Sequence, residues 1–279
     1  MVTRRTFTAG LAAAAAGAAL GPGGPGGLVV EIGVQSYTFR KFDVDRMIAA
    51  LQAIGLTSLE LWNGHVDPMK TSEAGFKAVR NKLDDAGIRV NAYCANFPTA
   101  ASDEHLDRAF TGAGLLGTSV MTTSVEKPIV GRLDEWCRKY QVKIGLHNHF
   151  LGDGWFKGDK SINFEGPDDF IEALKGRSEF LSINLDIGHF SAAGHDPVAF
   201  FRKHHERIVS LHVKDRDKDA EHMDRPFGKG ATPIVEVLKA AREVGFRYAA
   251  NIEYEMDEKD PTDGVRRSFD TIKKALTAA

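Results

Sequence analysis

Cysteine is scarce: the 279 residues hold only Cys94 and Cys137, with no CxxC spacing. They fall in different predicted elements, so two unpaired thiols are expected, and neither a disulfide framework nor a cysteine-built metal site is. An excess of either charge is missing too. Lys and Arg number 36 against 38 Asp and Glu, for a net charge of −2 and a pI near 6.6. Without a basic face to collect phosphates, nucleic acid is not an expected partner. No apolar run is long and apolar enough for a permanent membrane span. Nor does a glycine-rich phosphate loop follow the first predicted strand, where 35–40 read Gln-Ser-Tyr-Thr-Phe-Arg, so an open dinucleotide-binding sheet lacks its signature.

What remains is ordinary for a globular protein, 43% hydrophobic and 27% charged. Residues 1–27 have a different character. Arg4-Arg5, Phe7 two positions on, a mild Ala-rich run over 11–20 and a Gly/Pro stretch over 21–27 occur in the order of a twin-arginine export signal and linker. The expectation is a periplasmic or extracellular protein that uses the twin-arginine export machinery. That route carries folded proteins, so a metal could be inserted before export. Residues 28–279 then form one domain of about 250 residues, the size of a single α/β barrel.

Within it, short β-rich runs alternate with amphipathic stretches. Strands are predicted at 29–36, 58–62, 88–93, 119–122, 142–148, 181–186, 208–213 and 248–253. Helices are predicted at 44–54, 76–86, 103–116, 128–140, 167–174, 197–205, 233–244 and 264–276. Several helices open on Pro or an Asp cap, and several close on Gly. Eight alternating units predict a (β/α)8 TIM barrel, whose catalytic groups belong at the C-terminal strand ends.

Four late strands end in metal-ligand chemistry. Period-two alternation puts His147 with His149, Asn184 with Asp186, His212 with Lys214, and Glu253 with Glu255 on the lumenal face of their strands. One buried imidazole or carboxylate is unremarkable, but four neighbouring strands placing them at one level need a common compensation. One divalent cation (Mn, Zn, Fe, Co or Mg) held by mixed imidazole and carboxylate ligands supplies it. A purely hydrogen-bonded cluster is the alternative.

Leu146-His-Asn-His149, Leu185-Asp-Ile-Gly-His189, Leu211-His-Val-Lys-Asp215, Pro226-Phe-Gly-Lys-Gly230 and Ile252-Glu-Tyr-Glu255, with Leu59-Glu-Leu-Trp62 earlier, resemble the xylose-isomerase-like barrels of the sugar phosphate isomerase/epimerase family. The resemblance covers residues 28–279 and implies one divalent ion held by Glu, Asp, His and Glu from the last four strands. Carried over by position, the ligands are His147 (in place of the first Glu), Asp186, His212 and Glu253. His149 remains the alternative to His147 on the fifth strand. The family's epimerases use two metal-bound carboxylates on opposite faces of the sugar, and a ligated imidazole is a poorer base than a carboxylate.

The expected activity is proton transfer beside a metal-polarised carbonyl of a carbohydrate or keto sugar, giving isomerisation or epimerisation. Glu253 is the expected proton-transfer group, with His149 or His189 as the complementary acid. Glu60, which points into the barrel if Leu59 and Leu61 face the helices, and Trp62, Lys214 and Arg216 are the candidates to bind substrate, with Phe39 and Trp155 as further apolar wall. Ordinary packing is the competing and more frequent reading of each of the three aromatic residues, and a solvated loop charge that of Arg216. The segment 150–166 is expected to form a lid or specificity loop. Two rivals remain: a lyase, dehydratase or glycoside-cleaving enzyme acting on a 3-keto sugar or inosose, and a non-catalytic carbohydrate-binding protein.

Overall fold

Strand-forming runs rich in Val, Ile and Leu close on one another in chain order. The computed structural model describes residues 30–152, 162–217, 224–256 and 258–277. The barrel strands are β1 (Ile32–Gln35), β2 (Ser58–Trp62), β3 (Arg89–Cys94), β4 (Val120–Thr123), β5 (Lys143–His147), β6 (Leu181–Asp186) and β7 (Ile208–Val213). Two-residue strands β8 (Asp215–Arg216) and β9 (Asp224–Arg225) form a small antiparallel pair, and β10 (Ala250–Ile252) closes the barrel against β1. The eight barrel strands run in the order β1-β10-β7-β6-β5-β4-β3-β2, and their neighbours pair in parallel. The expected (β/α)8 barrel is the observed fold.

The helices around it are α1 (Val44–Ile54), α2 (Glu73–Asp85), α3 (Asp103–Leu115), α4 (Val130–Tyr140), α5 (Pro167–Leu174), α6 (Ile187–Ala192), α7 (Pro197–His204), α8 (Ile234–Glu243) and α9 (Thr262–Thr277). Their starts are chemically specified. Asp43, Ser72, Ser102 and Asp196 accept first-turn backbone N–H groups, and α5 and α7 carry Pro in the first turn. The Gly55 turn after α1 has φ 84°, a conformation that glycine takes without a Cβ penalty. The sequence reading did not contain α6, a six-residue helix capped by Asp186 itself, nor the β8–β9 pair.

Outward-facing Leu59, Leu61, Ile144, Leu146, Ile183, Leu185, Leu211 and Ile252 pack with the helices in one continuous apolar layer. A separate small cluster joins Ala92, Val120 and Val209, from strands on opposite sides of the barrel, so it plugs the interior. Cys94 and Cys137 are buried free thiols. No helix among the described residues is long and apolar enough to cross a membrane.

Candidate metal centre

The mouth of the barrel gathers what the late strands carry. His147 ends β5, Asp186 ends β6, His212 lies on β7, and Glu253 directly follows β10. These four strands are consecutive around the barrel. All four side chains are buried, and one ligand atom from each lies within 4.8 Å of the others. His147 also belongs to a second group with His149 and His189, spaced by the same limit. The ring centroids of His149 lie 4.5 Å from His147 and 5.2 Å from His189.

Backbone geometry explains the convergence. Gly145 on β5 leaves no room for a side chain, since a Cβ there would sit 2.8 Å from the Asn184 backbone nitrogen on β6. The Asn148 amide then locks the two strand ends by donating to the Asp186 carbonyl (3.1 Å) and accepting from the Asp186 N–H (3.0 Å). Asp186 Oδ1 caps α6 through the His189 N–H at 2.7 Å. Asp186 Oδ2 is buried with no hydrogen-bond partner among the described residues, its nearest cation being Lys214 Nζ at 3.5 Å. A buried carboxylate oxygen in that state suits a cation, as does the two-imidazole, two-carboxylate donor set.

Charges in the cluster are strongly biased. Burial, reinforced by His149 and His212, holds His147 well below the ordinary histidine range, so it is neutral and able to ligate. Burial and the Lys214 charge do the same to His189. Burial opposes charge on His212, but the carboxylates of Glu60 (2.8 Å) and Glu253 (3.1 Å) outweigh it and raise its pKa well above normal. Burial favours the neutral form of Glu253 as well, yet Lys214 at 3.0 Å and His212 hold it well below the carboxylate range. Asp186 is pushed up to about 6, by burial first, with Lys214 opposing and Glu253 reinforcing.

A cavity of about 920 Å³ opens over this cluster. Trp62, His149, His189, Lys214 and Arg216 line it, together with His147, His212 and Glu253. Trp62 stands edge-on to Tyr37 at 4.9 Å. Lys214 is engaged by Glu253, Glu255 and His189, and Arg216 is buried between His189 and Asp224 rather than solvated in a loop.

Two expected substrate-side residues lie apart from the cavity wall. Glu60 faces the lumen but does not line the cavity: it is fully buried, and both carboxylate oxygens accept from protein donors. Phe39 is part of the apolar core, 5.6 Å from Phe42 between ring centroids, and is no cavity wall. Trp155 and residues 1–27 lie outside the described residues, as do 153–161 of the expected lid. Sequence reasoning gave no role to Asn184, whose amide nitrogen lies 3.2 Å from His147 Nδ1 and 3.1 Å from His212 Nε2. Its place two residues before Asp186, on the same strand face, was the available signal. Tyr37 and Arg40 on the far wall were also passed over, and only their position just after β1 marks them.

Solved structures share this architecture. The probable 3-DHS dehydratase AsbF from Bacillus anthracis superposes with a TM-score of 0.71 at 16% identity, over 87% of this chain and 98% of that one. A zinc-bound IOLI protein gives 0.70 at 14% identity, over 89% and 98%. An L-ribulose 3-epimerase gives 0.71 at 13%, over 90% and 95%. At such identities the likeness is one of fold. No curated protein matches the sequence. Residues 129–275, more than half of the chain, match the family model for these barrels, and the chain belongs to the xylose isomerase-like TIM barrel family.

Proposed function

We propose that the chain is a divalent-metal-dependent enzyme that moves a proton on the carbon beside the carbonyl of a carbohydrate or keto sugar, as an isomerase or epimerase. The observation that carries this reading is the four-donor cluster at the barrel mouth, with Asp186 Oδ2 buried and lacking a hydrogen bond. A divalent ion held by His147, Asp186, His212 and Glu253 would polarise the carbonyl and adjacent hydroxyl oxygens and acidify the neighbouring C–H. Glu253, kept ionised by Lys214 and His212, is the group placed to accept that proton. His149 and His189, on the cavity wall beside His147, are placed to handle the complementary proton. Trp62 offers a wall to the sugar ring, and Lys214 and Arg216 bring hydrogen-bond donors to its oxygens.

A second reading, a lyase or dehydratase, is favoured by one residue. By the family resemblance His147 takes the place of a carboxylate ligand, so a single carboxylate base, Glu253, faces a set of histidines. Unlike groups on the two sides suit removal of a proton and loss of a β-substituent better than symmetric return of the proton. The fold neighbours named above include both an epimerase and a dehydratase. The Arg4-Arg5 pair and Ala-rich run support export through the twin-arginine route as a further part of the proposal.

The test incubates metal-loaded protein with aldoses, ketoses, inososes and 3-keto glycosides in deuterated water. Deuterium gained beside the carbonyl with the carbon skeleton and substituents intact identifies the isomerase, and release of a substituent identifies the lyase. Bound metal without exchange leaves a binding protein. Asp186→Ala and His212→Ala are expected to hold far less than one ion per chain by elemental analysis, and a wild type that holds none would remove the metal centre altogether.

A further inference from the structure

Glu60 is a buried carboxylate for which the proposed reaction has no use. It sits on β2, opposite the late strands in sequence, and its surroundings are unusually complete. Gln35 Nε2 on β1 (2.6 Å) and Thr122 Oγ1 on β4 (2.6 Å) donate to Oε1. Ser210 Oγ on β7 (2.9 Å) and Asn251 Nδ2 on β10 (2.9 Å) donate to Oε2. His212 Nε2 adds a fifth contact, at 2.8 Å from Oε1. A carboxylate offers about four lone-pair sites, so this one has no capacity left for a metal.

We infer that Glu60 is a positioning residue for the metal centre: it fixes the hydrogen of His212 on Nε2 and leaves Nδ1 as the ring nitrogen offered to the cation. The inference rests on the metal reading above. The geometry on the two sides of the ring differs in the way this requires. Nε2 faces a carboxylate oxygen, which has no hydrogen to give, so at this contact it can only donate. Nδ1 faces Glu253, 3.1 Å from its Oε2, and Glu253 belongs to the four-residue cluster that also holds Asp186, whose buried Oδ2 has no hydrogen bond among the described residues. The Asn184 amide beside Nε2, whose two ends are interchangeable in shape, is compatible with its carbonyl turned toward that N–H. A carboxylate behind a ligating imidazole orients the ring and strengthens it as a ligand, and loss of such a partner typically lowers metal affinity about 10–100-fold.

Zn2+ alone is the probe, added to full-length protein. In the wild type labelled with 15N-histidine, Zn2+ is expected to shift Nδ1 of His212 while Nε2 keeps its proton, with the resonances assigned by their loss in His212→Gln. Chelator competition is expected to show Zn2+ bound about 10–100-fold more weakly by Glu60→Gln. Thr122→Val, which removes one donor to Glu60 without touching His212, is expected to bind within about twofold of wild type. Zn2+ found on Nε2 overturns the inference, and so does a folded Glu60→Gln that binds as tightly as wild type. Equal weakening in Thr122→Val would show that Glu60 acts only through general packing, which also overturns it. The NMR measurement needs no Glu60 variant, so a failure of Glu60→Gln to fold leaves the question decidable. A wild type that binds no Zn2+ defeats the metal reading itself, a different outcome from any of these.

Discussion

Lys214 shows how much electrostatic work single residues carry in this barrel. Its side chain is 2% exposed, and its ammonium lies among Glu253, Glu255 and Asp186. Burial alone would lower its pKa, but Glu253 and Glu255, with Asp186 behind them, raise it well above normal, so the charge is retained. Replacing it with methionine leaves buried carboxylates without their cation, a change that costs about 3–5 kcal/mol. At roughly 2–4 °C per kcal/mol for a domain of this size, the midpoint of thermal unfolding of metal-free Lys214→Met is expected to fall by about 6–20 °C. Because a divalent ion would neutralise the same carboxylates, added metal should raise the midpoint of the variant more than that of wild type. Calorimetry with and without metal measures both quantities. An unchanged metal-free midpoint would mean that the carboxylates are compensated elsewhere.

Among the elements, α5 shows how a helix start is tied to pH. Asp169 in its first turn accepts from the N–H groups of Glu165 (2.9 Å) and Gly166 (3.0 Å) and pairs with Lys127 (2.7 Å). Burial works to raise its pKa, but the Gly166 N–H and Lys127 outweigh it, and the net shift is downward. A depressed folded-state pKa means stability that is fully present above the unfolded value, about 3.9, and is lost as pH falls through the folded value. Asp169→Asn is expected to lose about 1–2 kcal/mol at pH 7 and to show a shallower stability loss below about pH 4 than wild type. Denaturant titrations at pH 7 and pH 3 measure this, and parallel pH dependences would count against it.

The same scale shows what the sequence could and could not display. Barrel strands and most helices were legible because period-two and period-3.6 patterns persist over whole elements, and because Pro167, Pro197, Ser102 and Asp43 mark helix starts chemically. The α6 helix is too short for a period to register, and Asp186 serves it as cap while ending a strand. The two-residue strands β8 and β9 carry no pattern at all. At the site, alternation disclosed which side chains face the lumen, including Glu60. It could not disclose depth along the barrel axis, which is set by the registers of Gln35 with Glu60 and of Glu60 with Ala92. Trp62, two residues farther along β2, does line the cavity. Hence the lumenal direction of Glu60 was legible and its depth below the cavity was not.

For the whole molecule, one barrel carries every group of the proposed chemistry, and the proposed export route makes a prediction of its own. In the full-length chain, replacing Arg4 and Arg5 with lysine is expected to move the protein from the periplasmic or extracellular fraction to the cytoplasm. Fractionation followed by immunoblotting reads the distribution, and an unaltered one removes the proposed address.

The donors to Glu60 also say something about assembly. They come from strands at both ends of the chain, β1 and β4 on one side and β7 and β10 on the other. Neither half of the polypeptide can therefore satisfy the charge at the centre by itself. A half-built barrel would hold an anion whose remaining donors had not yet arrived, and this favours committing the first and last strands together over stacking them one by one.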